Sequence, residues 1–473
     1  MEYNITEDER IMPHLGNRTS LLEETLNSHR FAISLNPTNT DVLFNAAQVL
    51  TSLAETQLQA GTQQATKQEA RPLLEEAVDI FTRCLESQQQ EYAQMQAEIK
   101  KAQASGEYRE AREGERQQQP ASQEEDVEAD SSSSEAAGDW ATVEEPLTPE
   151  SILETCTAQL SALTTLLGLY DPNVDLPNIE KRAQDGLDTA TSKILNLIEL
   201  VDNSPSARPT DEPEAGPTLS IGSTSAAEEA TTSTKDDAIL AAANFQASLA
   251  EITYRSGRGT STEYAQAVEQ TFSNLAKASG NTATPNLPAI NIQSAYADAL
   301  MDLASALADG TQYTPSTPTF SLDLDIQWTA LTQAQNILTQ LASAPYTSFF
   351  SPSRLADVFL ARGDTDLFRF RITLFEEAKP TWVKSKTVLV ANAGVFYRGA
   401  RSYAERAGVA DVRSMADAKA IVAEILKEVA SGSGAKKEHW KGKGDLVGRV
   451  LEQMVEEGIV GRENVEGVLQ LTQ

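Results

Sequence analysis

Apolar residues recur at helical spacing from the first part of the chain onward. A leucine- and isoleucine-rich stripe between positions 20 and 35 stops before Pro37, a residue that cannot continue a helix. We expect Asp41 to cap a second helix, with Leu43 and Ala47 on its apolar face. A small residue such as Ala47 allows a neighbouring helix to approach closely. The segment therefore predicts two helices packed against each other.

Similar stripes continue to the C-terminus and predict an all-α protein. A polar turn is expected at 57–68 and another turn at Arg362-Gly363-Asp364. Aromatic residues make up only 6% of the chain and Ala, Gln and Glu are abundant, a composition that suits helices packed through small residues better than an aromatic-rich β-sandwich. The further predicted helical stretches are 73–85, 152–167, 179–198, 236–254, 264–278, 290–307, 322–341, 353–363, 390–397, 411–429 and 446–468.

Three of these stretches resemble tetratricopeptide (TPR) repeats. An alanine, a phenylalanine and a cysteine at 77, 81 and 84 match the second helix of a repeat, and a bulky residue, a small residue and an aromatic recur near 355 and 393. In its acidity and degenerate repeats the chain is similar to TPR proteins of fungi. The positions that carry the resemblance are Ala32, Pro37, Leu43, Ala47, Ala77, Phe81, Leu355, Ala356, Phe359, Ala393, Gly394 and Tyr397.

The resemblance implies a TPR-like helical-repeat solenoid whose concave surface binds another protein. A generic helical bundle is the alternative fold. Ala32 and Cys84 lie 52 positions apart, whereas a TPR repeats every ~34 residues. We expect an enlarged turn within the repeat to account for the difference. Residues 1–19 are expected to form an irregular cap, or to follow upstream sequence that is missing.

Two acidic segments interrupt the helical pattern and are predicted to be disordered. Residues 121–145 contain no Lys or Arg, and residues 204–234 are rich in Ser, Thr, Pro and Glu. The predicted organisation is an irregular cap at 1–19, TPR-like repeats at 20–104, a polar helical or coiled-coil extension with the acidic insert at 105–147, a helix pair at 148–202, a disordered linker at 203–234, TPR-like repeats at 235–430, a flexible basic linker at 431–445 and C-terminal helices at 446–473.

Charge narrows the choice of partner. The chain has 38 Lys and Arg against 69 Asp and Glu, a formal net charge of −31. A field of this sign repels nucleic acid and anionic lipid and attracts basic proteins. Solubility alone is the other interpretation of the same charge.

Catalytic chemistry is not indicated. The histidines His14, His29 and His439 are far apart in sequence, and Cys84 and Cys156 lie in apolar helical patterns. No phosphate-binding loop, dinucleotide fingerprint, zinc-protease motif or nucleophile elbow is present. We therefore predict no catalytic residue, no cofactor and no metal. The start of the chain lacks a secretory pattern, and no apolar run approaches ~20 residues, so we expect a cytoplasmic or nuclear protein without a membrane span.

The TPR resemblance also implies candidate protein-binding residues on the inner face of the repeats. They are Phe44, Gln48, Ser353, Asp357 and Arg398. Repeats that grip the C-terminal carboxylates of heat-shock chaperones place Lys and Asn at inner positions, which are occupied here by Phe44, Gln48, Ser353, Asp357, Ala391 and Val395. Because none of these six is cationic, a carboxylate clamp is not expected.

The sequence thus predicts a non-enzymatic adaptor or assembly chaperone, with a basic protein as its client. A passive scaffold subunit of a larger complex is the main alternative. An import or assembly receptor and a helical enzyme are further alternatives.

Replacing either of two small residues by tryptophan tests the proposed helix contacts. Ala47→Trp and Gly394→Trp should each destabilise the protein by about 1–3 kcal/mol, because the larger side chain overpacks a helix–helix contact. Thermal unfolding measures the effect. Unchanged melting temperatures for both variants would contradict the proposed register.

Overall fold

The computed structural model describes residues 17–60, 64–105, 147–203, 232–279, 285–310, 313–431, 442–462 and 465. Within these ranges the regular secondary structure is helical, and no strand occurs. The predicted all-α class is confirmed. Assignment to the TPR family specifically stays a prediction.

Fifteen α-helices lie in the described ranges. They are α1 Arg18–Leu35, α2 Thr40–Ala60, α3 Gln64–Ser105, α4 Pro149–Leu167, α5 Leu176–Asp188, α6 Ile194–Asp202, α7 Thr234–Arg255, α8 Ser261–Ser279, α9 Leu287–Asp309, α10 Phe320–Leu341, α11 Pro352–Ile372, α12 Pro380–Val383, α13 Lys386–Ala407, α14 Ala410–Ala430 and α15 Gly444–Glu456. A π-helical turn, Thr189–Lys193, joins α5 to α6, and a 3₁₀ turn, Tyr346–Phe349, precedes α11.

The chain divides into two compact units. The first comprises Met1–Ala162 and Lys193–Thr210, and the second comprises Leu163–Ser192 and Asp211–Gln473. In the first unit α1 packs on α2 and α2 packs on α3. Within its core, Gln159 of α4 donates a hydrogen bond to Thr82 of α3 at 2.9 Å.

Helices of the second unit pack mainly on their neighbours in sequence. Each helix from α7 to α10 packs on the next one in sequence. Helix α11 then packs on α13, α13 on α14, and α14 on α15. Helix α7 also contacts α9, so alternate helices meet as well. Such neighbour-on-neighbour contact is what a helical-repeat chain requires, since each helix pair buries its apolar face on the next.

The N-terminus of α2 differs from the prediction. The side chain of Asn39, not Asp41, caps the helix, accepting a hydrogen bond from the backbone N–H of Val42 at 2.9 Å. Asp41 lies in the first turn, where its charge favours the positive end of the helix dipole. Asn and Asp are both good cap residues, so the sequence offered two candidates two positions apart.

Longer helices, not an enlarged turn, explain the 52-position spacing. Helix α2 continues to Ala60 and α3 begins at Gln64, so the turn predicted at 57–68 is wrong in extent. The two helices have 21 and 42 residues. Gln-rich segments have high helix propensity, which lets both helices run beyond their apolar stripes.

The predicted turn at Arg362-Gly363-Asp364 is also wrong, because these residues lie in the middle of α11. Glycine is needed there for contact rather than for a bend. A Cβ atom on Gly363 would lie 2.3 Å from Cε1 of Tyr397, a fully buried residue of α13. Helices α11 and α13 therefore meet at a point where only a hydrogen atom fits.

Several predicted segments lie outside the described residues. They are the cap up to residue 16, the acidic insert at 121–145, the second linker from 204 to 231 and most of the basic linker at 431–445. The polar extension of α3 is helical as far as Ser105. The proposed division into eight segments stays a prediction.

Two helical glycines of the second unit provide a matched test of this packing. Gly363→Ala should destabilise the protein by about 1–3 kcal/mol, because the new Cβ atom would overlap the ring of the fully buried Tyr397. Gly394→Ala should be neutral or slightly stabilising, since its Cβ would meet its nearest neighbour at an ordinary 3.4 Å and alanine favours helix. Urea unfolding of both variants measures the difference. Equal stabilities would contradict the close contact at Gly363.

Candidate functional site

The predicted binding residues of the first unit contribute to packing. Phe44 is half-buried, and its ring makes an edge-on contact with Phe81 at a centroid distance of 6.0 Å. Gln48 lies one turn further along α2 and is also half-buried. Leu43, Ala47, Ala77 and Phe81 are all buried, whereas Ala32 is half-buried and Pro37 exposed.

The predicted binding residues of the second unit lie in two places. Ser353 and Asp357 are on the first turns of α11, where Asp357 is exposed. Arg398 is on α13 and donates to Glu424 of α14 at 3.2 Å. The repeat positions Leu355, Ala356, Ala393, Gly394 and Tyr397 are buried, and Phe359 is half-buried.

Asp357 belongs to a group of carboxylates that sequence reasoning did not connect. We call Glu251 of α7, Asp298 and Asp302 of α9, and Asp357 of α11 the carboxylate row. Asp298 and Asp302 are one helical turn apart, and both are exposed. Charge interaction links Asp302 to Glu251 and to Asp298, and links Asp298 to Asp357. Three helices thus contribute negative charge to one face of the second unit.

Crowding changes the acidity of these groups. Although Asp302 is exposed, the density of protein around its carboxyl group, followed by the charges of Glu251 and Asp298, raises its pKa to about 7. Desolvation and the charge of Asp357 raise the pKa of Asp298 to about 6, against the opposing effect of Arg354. Desolvation also raises the pKa of Asp357. Their ionised forms are therefore poorly compensated within the protein.

The nearby cations are engaged elsewhere. Arg255 donates to Glu251 at 2.7 Å and to Asp309 at 2.8 Å. Arg354 donates to Asn291 at 2.8 Å. Asp298, Asp302 and Asp357 form no salt bridge or side-chain hydrogen bond with any residue in the described part of the chain. Three carboxylates of the row are thus available to an external cation.

A second polar group lies in the core and was also missed. Lys419 of α14 donates to both carboxylate oxygens of Asp364, at 2.8 and 2.9 Å, and the Tyr397 hydroxyl donates to the same carboxylate at 2.8 Å. Lys419 is 3% exposed and Asp364 8% exposed. The group is closed to a substrate, so its role is to join helices. In the sequence, Lys419 stands within the apolar run from Ala418 to Ala423, whereas the residues around Asp364 are polar and give no such signal.

Metal and membrane chemistry receive no support in the described ranges. No group of three or more His, Cys, Asp or Glu residues there could hold a metal ion. Nor is any helix described here long and apolar enough to cross a membrane.

The raised pKa of Asp302 predicts that this residue destabilises the folded protein increasingly as the pH rises. Its pKa is about 7 in the folded protein against 3.8 for a free side chain, so stability falls as the pH rises from about 4 through 7. Asp302→Asn should remove this cost and stabilise the protein at pH 8 by up to about 1 kcal/mol, a limit set by solvent screening. At pH 4 the gain should vanish. Urea unfolding at both pH values tests this, with the exposed Glu405→Gln as control; an equal gain for both variants at pH 8 would contradict it.

Comparisons with known proteins show no family. No protein-family profile and no curated protein matches the chain. A solved structure described as a "circular tandem repeat protein with novel repeat topology and enhanced subunit contact surfaces" aligns with 99% of this chain and 85% of its own, at 12% identity and a TM-score of 0.32. That likeness is too distant to carry an argument about fold or function.

Proposed function

We propose that this protein is a non-enzymatic adaptor or assembly chaperone that holds a basic segment of a client protein on the carboxylate row. The observation that carries the proposal is the crowding of Asp298, Asp302 and Asp357 without a salt bridge. The electrostatic free energy of an array of uncompensated carboxylates falls when a cation approaches. Lys and Arg side chains are the cations that a protein partner supplies.

Binding of a basic segment is expected to release protons from the carboxylate row. A cation next to Asp302 lowers its pKa again, so the carboxyl group releases its proton when the client binds. Affinity should therefore rise between about pH 6 and pH 8, as the row becomes ionised. An apolar interface has no such dependence, which separates the two modes of binding.

Long-range attraction supports the same partner chemistry. The net charge of −31 steers a basic protein toward the surface over a screening length of ~10 Å at 0.1 M salt. The row then supplies the short-range contacts. The protein needs no cofactor for this work, and we place it in the cytoplasm or nucleus.

The main alternative is a passive scaffold subunit with a conventional apolar interface. An import or assembly receptor is a further alternative. Exposed apolar side chains such as Phe31 and Leu35 on α1 are the kind of residue a scaffold interface would use. Such an interface would survive high salt and would not respond to neutralisation of the row.

Neutralising the row tests the proposal directly. A triple variant Asp298→Asn, Asp302→Asn and Asp357→Asn should bind a synthetic Lys/Arg-rich peptide at least about tenfold more weakly, a change of about 1.4 kcal/mol. Titration calorimetry at pH 8 and low salt measures the affinity. Peptides with alanine in place of Lys and Arg should not bind.

The control variant carries the same change in net charge away from the row. Glu377→Gln, Glu405→Gln and Asp411→Asn alter three exposed residues of the same unit. A third variant neutralises Glu124, Glu125, Asp126, Glu128 and Asp130 of the acidic insert. If the row and control variants lost equal affinity for the peptide, net charge alone would account for binding. If only the insert variant lost affinity, the row would not be the binding site. Copurified partners of ordinary charge that resist high salt would favour the scaffold.

A further inference from the structure

A recess of about 490 Å³ lies in the second unit, where the α7–α8 turn meets the α9–α10 connection. We call it the α7–α8 recess. Its polar lining includes Tyr254 and Arg255 from the end of α7, Ser261 from the start of α8, Asp309 from the end of α9 and Asp323 from the first turn of α10. The volume falls within the ~300–1,000 Å³ of small-ligand sites.

The charges of the lining do not cancel. Arg255 is shared between Glu251 and Asp309, at 2.7 and 2.8 Å. Asp323 is 7% exposed, and one of its oxygens accepts a hydrogen bond from the Ser261 hydroxyl at 2.6 Å. Its other oxygen accepts no hydrogen bond from the residues that the structure describes. The recess therefore contains a nearly buried carboxylate that lacks a cation.

Tyr254 brings an aromatic ring to the same carboxylate. Its ring stacks on that of Tyr264 at a centroid distance of 5.8 Å. Tyr254 and Asp323 both line the recess. Desolvation, followed by the charge of Asp323, raises the pKa of the Tyr254 hydroxyl. An aromatic ring beside a carboxylate attracts organic cations through both the quadrupole and the charge.

Helix ends at the recess do not reverse this preference. Helices α7 and α9 end there, and the C-terminal end of a helix carries partial negative charge. Helices α8 and α10 begin there, but Glu263 caps α8 by accepting from the Thr260 N–H at 2.8 Å. Asp323 lies in the first turn of α10, so the positive end of that helix compensates part of its charge. The charged side chains of the lining, Arg255 against Asp309 and Asp323, still leave an excess of one negative charge.

An exposed ion pair and two glycines lie at the edge of the recess. Arg258 of the α7–α8 turn donates to Glu180 of α5 at 2.5 Å. Gly257 has a φ of 71°, a backbone conformation that glycine adopts without strain. At Gly310 a Cβ atom would lie 3.2 Å from the Tyr254 hydroxyl. A side chain at that position would crowd Tyr254.

We propose that the α7–α8 recess binds an organic cation, an alkylammonium or guanidinium group, held between the Asp323 carboxylate and the Tyr254 ring. The group can belong to a free amine or to a Lys or Arg side chain of a partner protein. None of Asp298, Asp302 and Asp357 lines the recess, although Arg255 of its lining also pairs with Glu251 of the row. The inference does not rest on the proposed function.

Substitutions at Asp323 and Tyr254 separate charge, ring and hydroxyl. Asp323→Asn removes the charge but keeps an oxygen for the Ser261 hydrogen bond. Asp325→Asn, on the same helix and outside the recess lining, is the control with the same change in net charge. Tyr254→Phe keeps the ring without the hydroxyl, and Tyr254→Leu removes the ring. Melting temperatures identify any variant that fails to fold.

The probes are 1,5-diaminopentane, a tripeptide with blocked termini and a central lysine, and the same blocked tripeptide with acetyl-lysine, each titrated into the full chain by calorimetry. We expect the lysine peptide to bind, the acetylated peptide not to bind, and Asp323→Asn to weaken binding about tenfold. Tyr254→Leu should weaken it more than Tyr254→Phe, whereas Asp325→Asn and the row triple variant should retain it.

Binding of the diamine with the affinity of the peptide would assign the recess to a free amine, and binding of the peptide alone would assign it to a partner side chain. Failure of both cationic probes to bind the wild-type chain would overturn the inference. Equal binding of the acetylated peptide, or equal losses in Asp323→Asn and Asp325→Asn, would do so as well.

Discussion

The buried ion pair between Lys419 and Asp364 is the constraint on which the second unit depends. It joins α14 to α11, and the Tyr397 hydroxyl adds α13 through the same carboxylate. Gly363 lets Tyr397 reach that position. Burying two charges costs several kcal/mol in desolvation, and leaving either one without its partner costs about 3–5 kcal/mol. The pair therefore permits only an arrangement in which all three helices are in register.

The same register determines where the carboxylate row lies. Helix α11 carries Asp364 in its middle and Asp357 two turns earlier, so the contact that orients one also orients the other. At the end of α11, Arg371 donates to the backbone carbonyl of Gly458 at 2.5 Å, and Ser305 of α9 donates to that of Glu457 at 2.8 Å. The segment after α15 thus bridges the two helices that carry most of the row.

Sequence reasoning found the helices because their apolar periodicity is local, and most predicted stretches overlap an observed helix. It failed where the decisive partner is distant. The sequence around Gly363 predicts a turn, because Tyr397, which requires the glycine, lies 34 positions away. Asp364 could not be matched to Lys419, 55 positions away. Of the row, only Asp357 was singled out, because charges on three helices become neighbours only after folding. The recess likewise forms from the ends of four helices, none of which has a motif of its own.

Acidic residues of this chain differ in how well they are compensated, and that difference matters more than their number. Burial alone would raise the pKa of Asp417, but hydrogen bonds from Lys443 and Arg401 hold it below its usual value. Lys427 and Arg398 do the same for Glu424 against its own desolvation. A partner's cation would have to displace these internal ones and would gain little. At Asp302 no internal cation has to leave, so the same external charge relieves repulsion and forms a new contact at once. In the proposed function, the net charge of −31 would attract basic proteins at long range, and the unpaired carboxylates of the row would determine where in the described part of the chain they bind.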